Sequence, residues 1–368
     1  MLMWLIILVL VIAVSVSAVV YLIKKFRRFS FLDNLKDKHP KLSWAAAAAP
    51  VVLINLLAAI FLNVWAAVII MIHLFVFWLV CDSFGKLIRK LTKKTSMRYY
   101  EGCAAIVLTA VYLSIGWYLA HHVYRTSYSF TTDKKLGQDT LRIVEIADLH
   151  VGITLDGSEF AEQCKRMRDD KPDVVIVAGD FVDDSSTRSD MEEACRALKS
   201  IAPKYGVYFA TGNHDKGYSS GRGYTIDDLR SELKKNGVII LEDESVLVNN
   251  SFYIIGRLDR SYDERLPIKE LIQDLDTSKY MIVADHQPND YDNEADAGVD
   301  LVLSGHTHGG HIFPAGIIGV LIKANDRAYG TESRGSTDFV VTSGISGWAI
   351  PFKTGTISEY VVIDVKEQ

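Results

Sequence analysis

Apolar residues run almost unbroken from Met1 to Ile23, again from Leu42 to about Phe84, and once more from Gly102 to Ala120. A hydrocarbon core of about 30 Å takes roughly 20 apolar residues as a helix. The first and last runs therefore predict one span each. The middle run is too long for one span and right for two, with Asn63 near its centre as the tip of a tight hairpin. The pattern thus predicts an all-α bundle of about four transmembrane helices, near 2–23, 42–62, 64–84 and 102–120. Lys24, Lys25, Arg27 and Arg28 follow the first run rather than precede it, which suits an uncleaved helix and not a signal peptide. The alanines at 45–49 with Ala58, Ala59, Ala66, Ala67, Gly102 and Gly116 would let helices approach closely. Pro50 and Asn55 are tolerable where neighbouring helices satisfy freed polar groups.

From Leu141 the period changes. Short apolar runs at 141–148, 173–180, 206–213, 238–241, 252–259, 280–285, 300–306, 338–344 and 357–365 read as strands. Polar helical stretches near 158–169, 187–200, 225–236, 267–275 and 290–296 alternate with them. That alternation predicts an α/β body on parallel sheet, and the late strands, with no helix between them, read as antiparallel additions. Residues 122–140 read as a polar linker or a first outer strand. The domain plan is a transmembrane unit at 1–121, a linker at 122–140 and an α/β domain at 141–368.

Charge sharpens this division. Residues 1–121 hold 13 Lys/Arg and 4 Asp/Glu, and the rest holds 27 against 41. An acidic body argues against nucleic acid as a partner. Seven basic residues fall between the first two spans (Lys24, Lys25, Arg27, Arg28, Lys36, Lys38, Lys41) and six between the third and fourth (Lys86, Arg89, Lys90, Lys93, Lys94, Arg98). The hairpin at Asn63 carries none. The positive-inside rule puts both basic loops in the cytoplasm, which makes the chain a multi-pass cell-membrane protein with its C-terminal body extracytoplasmic. Four cysteines exclude a disulfide scaffold, and whether Cys164 and Cys195 meet is left open by the sequence. His73 lies inside an apolar helix, where a neutral imidazole bonded to a neighbouring helix is expected.

The chemistry gathers behind the strands. Asp148 and His150 close the first, Gly179, Asp180 and Asp183 the second, and Gly212, Asn213, His214 and Asp215 the third. His286 follows a later strand, and the next ends in Gly305-His306-Thr307-His308-Gly309-Gly310-His311. Carboxyl ends of parallel strands are where open α/β sheets place their sites. The donors are oxygen and nitrogen without thiolate, which suits Mn, Fe or Zn.

The order D-x-H, GDxxD, GNHD, a strand-end His and GHTH resembles the calcineurin-like metallophosphoesterase superfamily over residues 141–365. The GHTHGG extension and the apolar N-terminal third look most like its membrane-associated bacterial branch. The resemblance implies a β-sandwich core flanked by helices and a cofactor of two divalent metal ions. It implies that Asp148, His150, Asp180 and His308 bind one metal, and that Asp180, Asn213, His286 and His306 bind the other, with Asp180 bridging. It further implies hydrolysis of a phosphomonoester or phosphodiester by a metal-bridging hydroxide. His214 would donate to the leaving oxygen and Asp215 would orient His214. Asp183 reads as a supporting or capping carboxylate. His311 stands where that branch often has Gln, and Arg257 stands where small or acidic residues are more usual. Arg257 or Arg260 could contact a phosphate or form a surface ion pair.

Tethering makes a membrane lipid or an envelope phosphoester a sensible substrate class. Two other classes compete. One is a metal-binding membrane receptor or regulatory protein without turnover. The other is a transporter, against which the apolar helices show no paired charges and no repeated halves.

Overall fold

The computed structural model describes residues 2–93, 99–218 and 220–368. Lys94 and Arg98, two of the basic loop residues, lie outside the described residues. The chain divides into two compact units, Met1–Gly116 and Trp117–Gln368.

The first unit holds α1 (Leu2–Phe26), α2 (Asp33–Lys38), α3 (Pro40–Phe61), α4 (Val64–Thr92) and most of α5 (Tyr100–His121). Among the described residues, α3, α4 and α5 are long and apolar enough to cross a membrane. Asn63 lies in the two-residue turn between α3 and α4 and also caps α4: its side chain accepts from the Ala66 amide at 2.8 Å. Small residues do bring the helices together. Ala18, Ala47 and Ala105 are fully buried in one cluster with Leu22, Met71 and Trp78. A side chain on Gly102 would strike Phe29, Tyr99 and Trp78. His73 bonds to the Ile69 carbonyl of its own helix at 2.8 Å, not to a neighbour, and its ring lies 5.5 Å from that of Tyr112 in α5.

The expectation of unpaired helices fails. Asp82 of α4 is buried and ion-paired with Lys25 of α1. It also accepts from the hydroxyls of Tyr21 at 2.9 Å and Tyr99 at 2.6 Å. Arg89 of α4 pairs with Glu101 of α5. Sequence distance hid these pairs, since Asp82 and Lys25 belong to different helices.

The second unit opens with β1 (Val123–Thr132), β2 (Thr140–Ile146), α6 (Gly157–Asp169), β3 (Val174–Ala178), α7 (Arg188–Ile201), β4 (Val207–Ala210), α8 (Ile226–Lys235) and β5 (Val238–Ile240). It continues through β6 (Glu244–Val248), β7 (Phe252–Gly256), α9 (Ile268–Leu271), β8 (Tyr280–Ala284), α10 (Tyr291–Ala297) and β9 (Leu301–Ser304). It ends with α11 (Ala315–Leu321), β10 (Gly330–Arg334), β11 (Thr337–Val341) and β12 (Ser358–Glu367). Two six-stranded sheets result, ordered β1-β12-β2-β3-β4-β5 and β10-β11-β9-β8-β7-β6. Strands β2 to β5 are mutually parallel, as are β7, β8, β9 and β11.

Burial on both faces explains the unbroken apolar strands. Leu141, Ile143, Val174 and Ile176 of one sheet meet Phe252, Ile254, Ile282 and Leu303 of the other. The alternate residues Val144, Ile146, Val175 and Val177 turn outward under Phe160, Met167, Met191 and Leu198 of α6 and α7. On the second sheet Ile255, Val283 and Val302 pack under Ile268 and Tyr291 of α9 and α10. The helices start where caps dictate: Asp156 and Thr225 form capping boxes, and Thr187 accepts from the Asp190 amide. Cys164 and Cys195 are buried free thiols.

Residues 123–132 form an outer strand paired parallel to β12. Of the late strands, β12 runs antiparallel to β2 and β10 antiparallel to β11, but β11 joins β9 in parallel. The strands that pattern reading misses, β6 and β10, sit at the two edges of the second sheet and are partly exposed; β10 is polar, and β6 is a short Val-Leu-Val run behind Glu244 and Ser245.

Arg257 is neither on the surface nor free for phosphate. Its side chain is 2% exposed and one guanidinium nitrogen reaches Asp285 at 3.0 Å, Asp290 at 2.7 Å and Glu294 at 3.0 Å. Arg265 shares Asp285, whereas Arg260 is exposed. Removing one partner of such a cluster leaves buried charge uncompensated. Arg257→Met is therefore expected to destabilise the fold by about 3–5 kcal/mol, read as a lower melting temperature of the detergent-solubilised full chain. An unchanged melting temperature would show that the acids carry no charge there.

Candidate metal centre

Five strand ends build the site. Asp148 and His150 follow β2, Asp180 and Asp183 follow β3, and residues 213–215 follow β4. His286 follows β8, and His306, His308 and His311 follow β9. The backbone there is bent into rarely populated conformations: Asp148, His150, Asp180, His306, His308 and His311 all have positive φ, between 38° and 69°. Non-glycine residues hold such angles only where the surroundings over-determine them. At Gly179 (φ 80°) an added Cβ would sit 2.7 Å from the His286 ring and from the Gly212 backbone. That turn requires glycine because two loops and an imidazole meet over it.

The side chains converge. Oδ2 of Asp180 lies 3.1 Å from Nε2 of His286 and 3.6 Å from Nε2 of His150. Its Oδ1 accepts from the His214 amide at 2.8 Å. Nε2 of His150 and Nε2 of His308 face each other at 3.2 Å. Two nitrogens bound to one ion at about 2.1 Å each would stand roughly 3.0–3.4 Å apart. Nδ1 of His286 bonds to the Ala178 carbonyl at 2.8 Å, which leaves Nε2 to face the site. Asp148 accepts from the His306 amide on Oδ1 at 2.9 Å.

Two groups among the described residues, Asp148–His150–His308 and Asp180–His286–His306, hold their donor atoms within 4.8 Å of one another and could bind a metal ion. The fit to cations is visible in buried atoms without hydrogen-bond partners: Oδ2 of Asp148 and Oδ1 of Asn213. Asn213 spends its amide on Tyr218 at 3.2 Å and keeps that oxygen free. Burial, with the charges of His286 and His150 respectively, lowers His306 to about 4 and His308 well below the ordinary imidazole range. Both rings are thus neutral donors. Burial would raise Asp180, but the neighbouring His286 outweighs it and the carboxyl is held low.

His214 and Asp215 fall apart as a pair. Asp215 is fully buried and takes four backbone amides: Asp180 at 3.0 Å, Phe181 at 2.8 Å, Val182 at 3.2 Å and Gly212 at 2.7 Å. It ties the β3 and β4 loops together and does not touch His214. Burial lifts its carboxyl to about 6. The carboxylate on His214 is Asp183, 3.2 Å from Nδ1, and the same oxygen stands 3.3 Å from Nδ1 of His150. These three residues form a further donor group. Asp183 is held far below the usual carboxylate range, because the hydrogen bonds and charges of His150 and His214 overcome its burial.

Three other residues carry no local signal in the sequence. Tyr218 and Trp348 flank His214, with ring centroids at 5.3 Å and 5.5 Å, and both stay largely exposed. Lys353 is fully buried and donates to the carbonyls of Ser343 (2.7 Å), Gly344 (3.1 Å) and Ile357 (3.1 Å). A Cβ on Gly344 would lie 2.6 Å from that of Asp148, so Lys353 braces the loop that backs this carboxylate. Burial drops its ammonium to about 7. His311 stacks on His308 at 5.3 Å, and its Nε2 is buried without a partner.

Comparison with known proteins agrees with this geometry. Residues 141–310 match the family model described as calcineurin-like phosphoesterase. The chain is 31% identical over 247 residues to an uncharacterized metallophosphoesterase of Aquifex aeolicus, covering 65% of this chain and 90% of that protein. It is 31% identical to an uncharacterized metallophosphoesterase of Campylobacter jejuni over 61% of this chain, and spans 59% of that relative's length. A transmembrane protein with metallophosphoesterase domain from Danio rerio is 26% identical over 82% of this chain and 71% of its own. With two sheets, helices on their outer faces and an Asp/His cluster at the strand ends, this chain belongs to the calcineurin-like metallophosphoesterase family.

Proposed function

We propose that the protein is a membrane-anchored, binuclear metal-dependent phosphoesterase that hydrolyses a phosphomonoester or phosphodiester. The observation that carries this reading is the place of Asp180, whose one oxygen faces both His286 and His150. On it, Asp148, His150, Asp180 and His308 hold one ion, and Asp180, Asn213, His286 and His306 hold the other. Nitrogen and oxygen donors suit Mn, Fe or Zn. Paired divalent cations supply an acidified water and offset charge on phosphoryl oxygens.

The chain's own residues supply the rest. His306 and His308 enter as neutral donors, and the Ala178 carbonyl fixes the tautomer of His286. His214 keeps its Nδ1 on Asp183, so its Nε2 is free to hold a proton for the leaving oxygen. Asp183 positions both His214 and His150, the role that the family resemblance implies for Asp215. Asp215 instead holds the loops that present Asp180 and Asn213.

Four spans, α1, α3, α4 and α5, would put both basic loops in the cytoplasm and the second unit outside. Anchoring supports a lipid-linked or envelope phosphoester as substrate, and the acidic body disfavours nucleic acid.

The full chain in detergent is expected to hydrolyse bis(p-nitrophenyl) phosphate with added Mn and to stop on chelation. Asp180→Asn should lower both the rate and the metal content by elemental analysis. Metal-free protein with undiminished turnover would end the proposal. His214→Ala should lower kcat by about 10²–10⁴-fold with metal content unchanged. Asp183→Asn should cost roughly 10–100-fold. A His214→Ala enzyme as fast as the parent would remove His214 from the chemistry. Protease added to intact cells should cut the second unit, and full protection beside a cut control protein would reverse the topology.

A further inference from the structure

Helix α11 is apolar and buries none of its residues. Between 313 and 322 six large apolar side chains face solvent: Phe313 at 59% exposure, Ile317 at 57%, Ile318 at 50%, Val320 at 38%, Leu321 at 75% and Ile322 at 69%. Those ten residues contain no ionisable group. Water gives such a segment no reason to hold its place, and contiguous exposed apolar surface of this kind marks an interaction site.

Its occupant is indicated by charge and by attachment. No acidic residue falls between His311 and Asn325, although the chain after residue 121 holds 41 acids. Lys323, at the end of the segment, is exposed and makes no ion pair among the described residues. An apolar face closed by a free lysine complements an anionic lipid surface, with the ammonium among headgroups and the side chains below them. The second unit begins inside the last turn of α5, at Trp117, and Ser358 donates to the Ala120 carbonyl at 2.8 Å. One residue, His122, separates α5 from β1. Where α5 crosses a bilayer, lipid is within reach of this unit without any partner being recruited.

We infer that residues 313–322 are a bilayer-contact segment that buries its side chains among lipid chains and seats the adjoining histidine turn at the membrane surface. The coupling is direct: a Cβ on Gly310 would lie 2.6 Å from the Gly316 backbone, so α11 packs against the turn that carries His308 with nothing between them. The inference rests on the reading of α5 as a span and does not depend on hydrolysis.

The test uses the full chain in nanodiscs of phosphatidylcholine and phosphatidylglycerol, with plain or brominated acyl chains. Cys81→Ser and Cys103→Ser leave only buried thiols, and an environment-sensitive fluorophore is placed on Ile318→Cys, on Val107→Cys in α5, or on Lys165→Cys in α6. Brominated lipid is expected to quench the first two by roughly half and the third hardly at all. Quenching at 107 without quenching at 318 overturns the inference and leaves the span standing. No quenching at 107 removes the span, and the inference with it. An unquenched label at 318 that cross-links to a second copy assigns the face to self-association instead.

Discussion

Asp180 is 1% exposed and stands among His150, His286 and the fully buried Asp148. Burying this much ionisable chemistry is unfavourable unless it is paired or bound to a cation. Hydrogen bonds relieve part of the cost: Asp148 has the His306 amide and Asp180 has the His214 amide. They leave Oδ2 of Asp148 and Oδ1 of Asn213 unmatched. Compensation from divalent charge is the simplest way for these atoms to coexist, and it accounts for a donor set without thiolate or lysine.

The backbone is arranged to permit this. The ends of β2, β3 and β9 turn through residues of positive φ, and the first two of these turns hold one another: the Asp148 amide bonds to the Gly179 carbonyl, and the His150 amide to that of Asp180. Asp215 then collects four amides from the β3 and β4 loops. Its carboxylate acts as structural glue, comparable to the acceptors of a helix N-terminus but spread over two loops. Lys353 does the converse with three carbonyls. A buried anion that gathers amides and a buried cation that gathers carbonyls fix the loops on two sides of the site.

Much of this is legible in the sequence because parallel strands buried on both faces leave a simple signature. The runs at 141–148 and 173–180 end in Asp-x-His and Gly-Asp, so strand and site residue arrive together. Edge strands carry a weaker signature: β6 and β10 are paired on one side only and partly exposed, so neither needs a long unbroken apolar run. Partner identity was the other blind spot. Asp183 and Asp215 both lie close to site residues in the chain, and the family resemblance implies that Asp215, which adjoins His214, orients it. Adjacent side chains on a turning backbone diverge, however, and Asp215 points back under β3. Contacts such as those of Tyr218 and Trp348 with His214 depend on loops whose paths no local pattern encodes.

The first unit obeys the same rule with different means. Asp82 lies in an apolar helix, and the structure surrounds it with Lys25, Tyr21 and Tyr99. No water or metal is needed there, since an ammonium and two hydroxyls answer the carboxylate. Lys25 closes α1, and its pairing with Asp82 fixes the depth of α1 against α4. The pair reads as a register lock, the best-attested use of a buried ion pair.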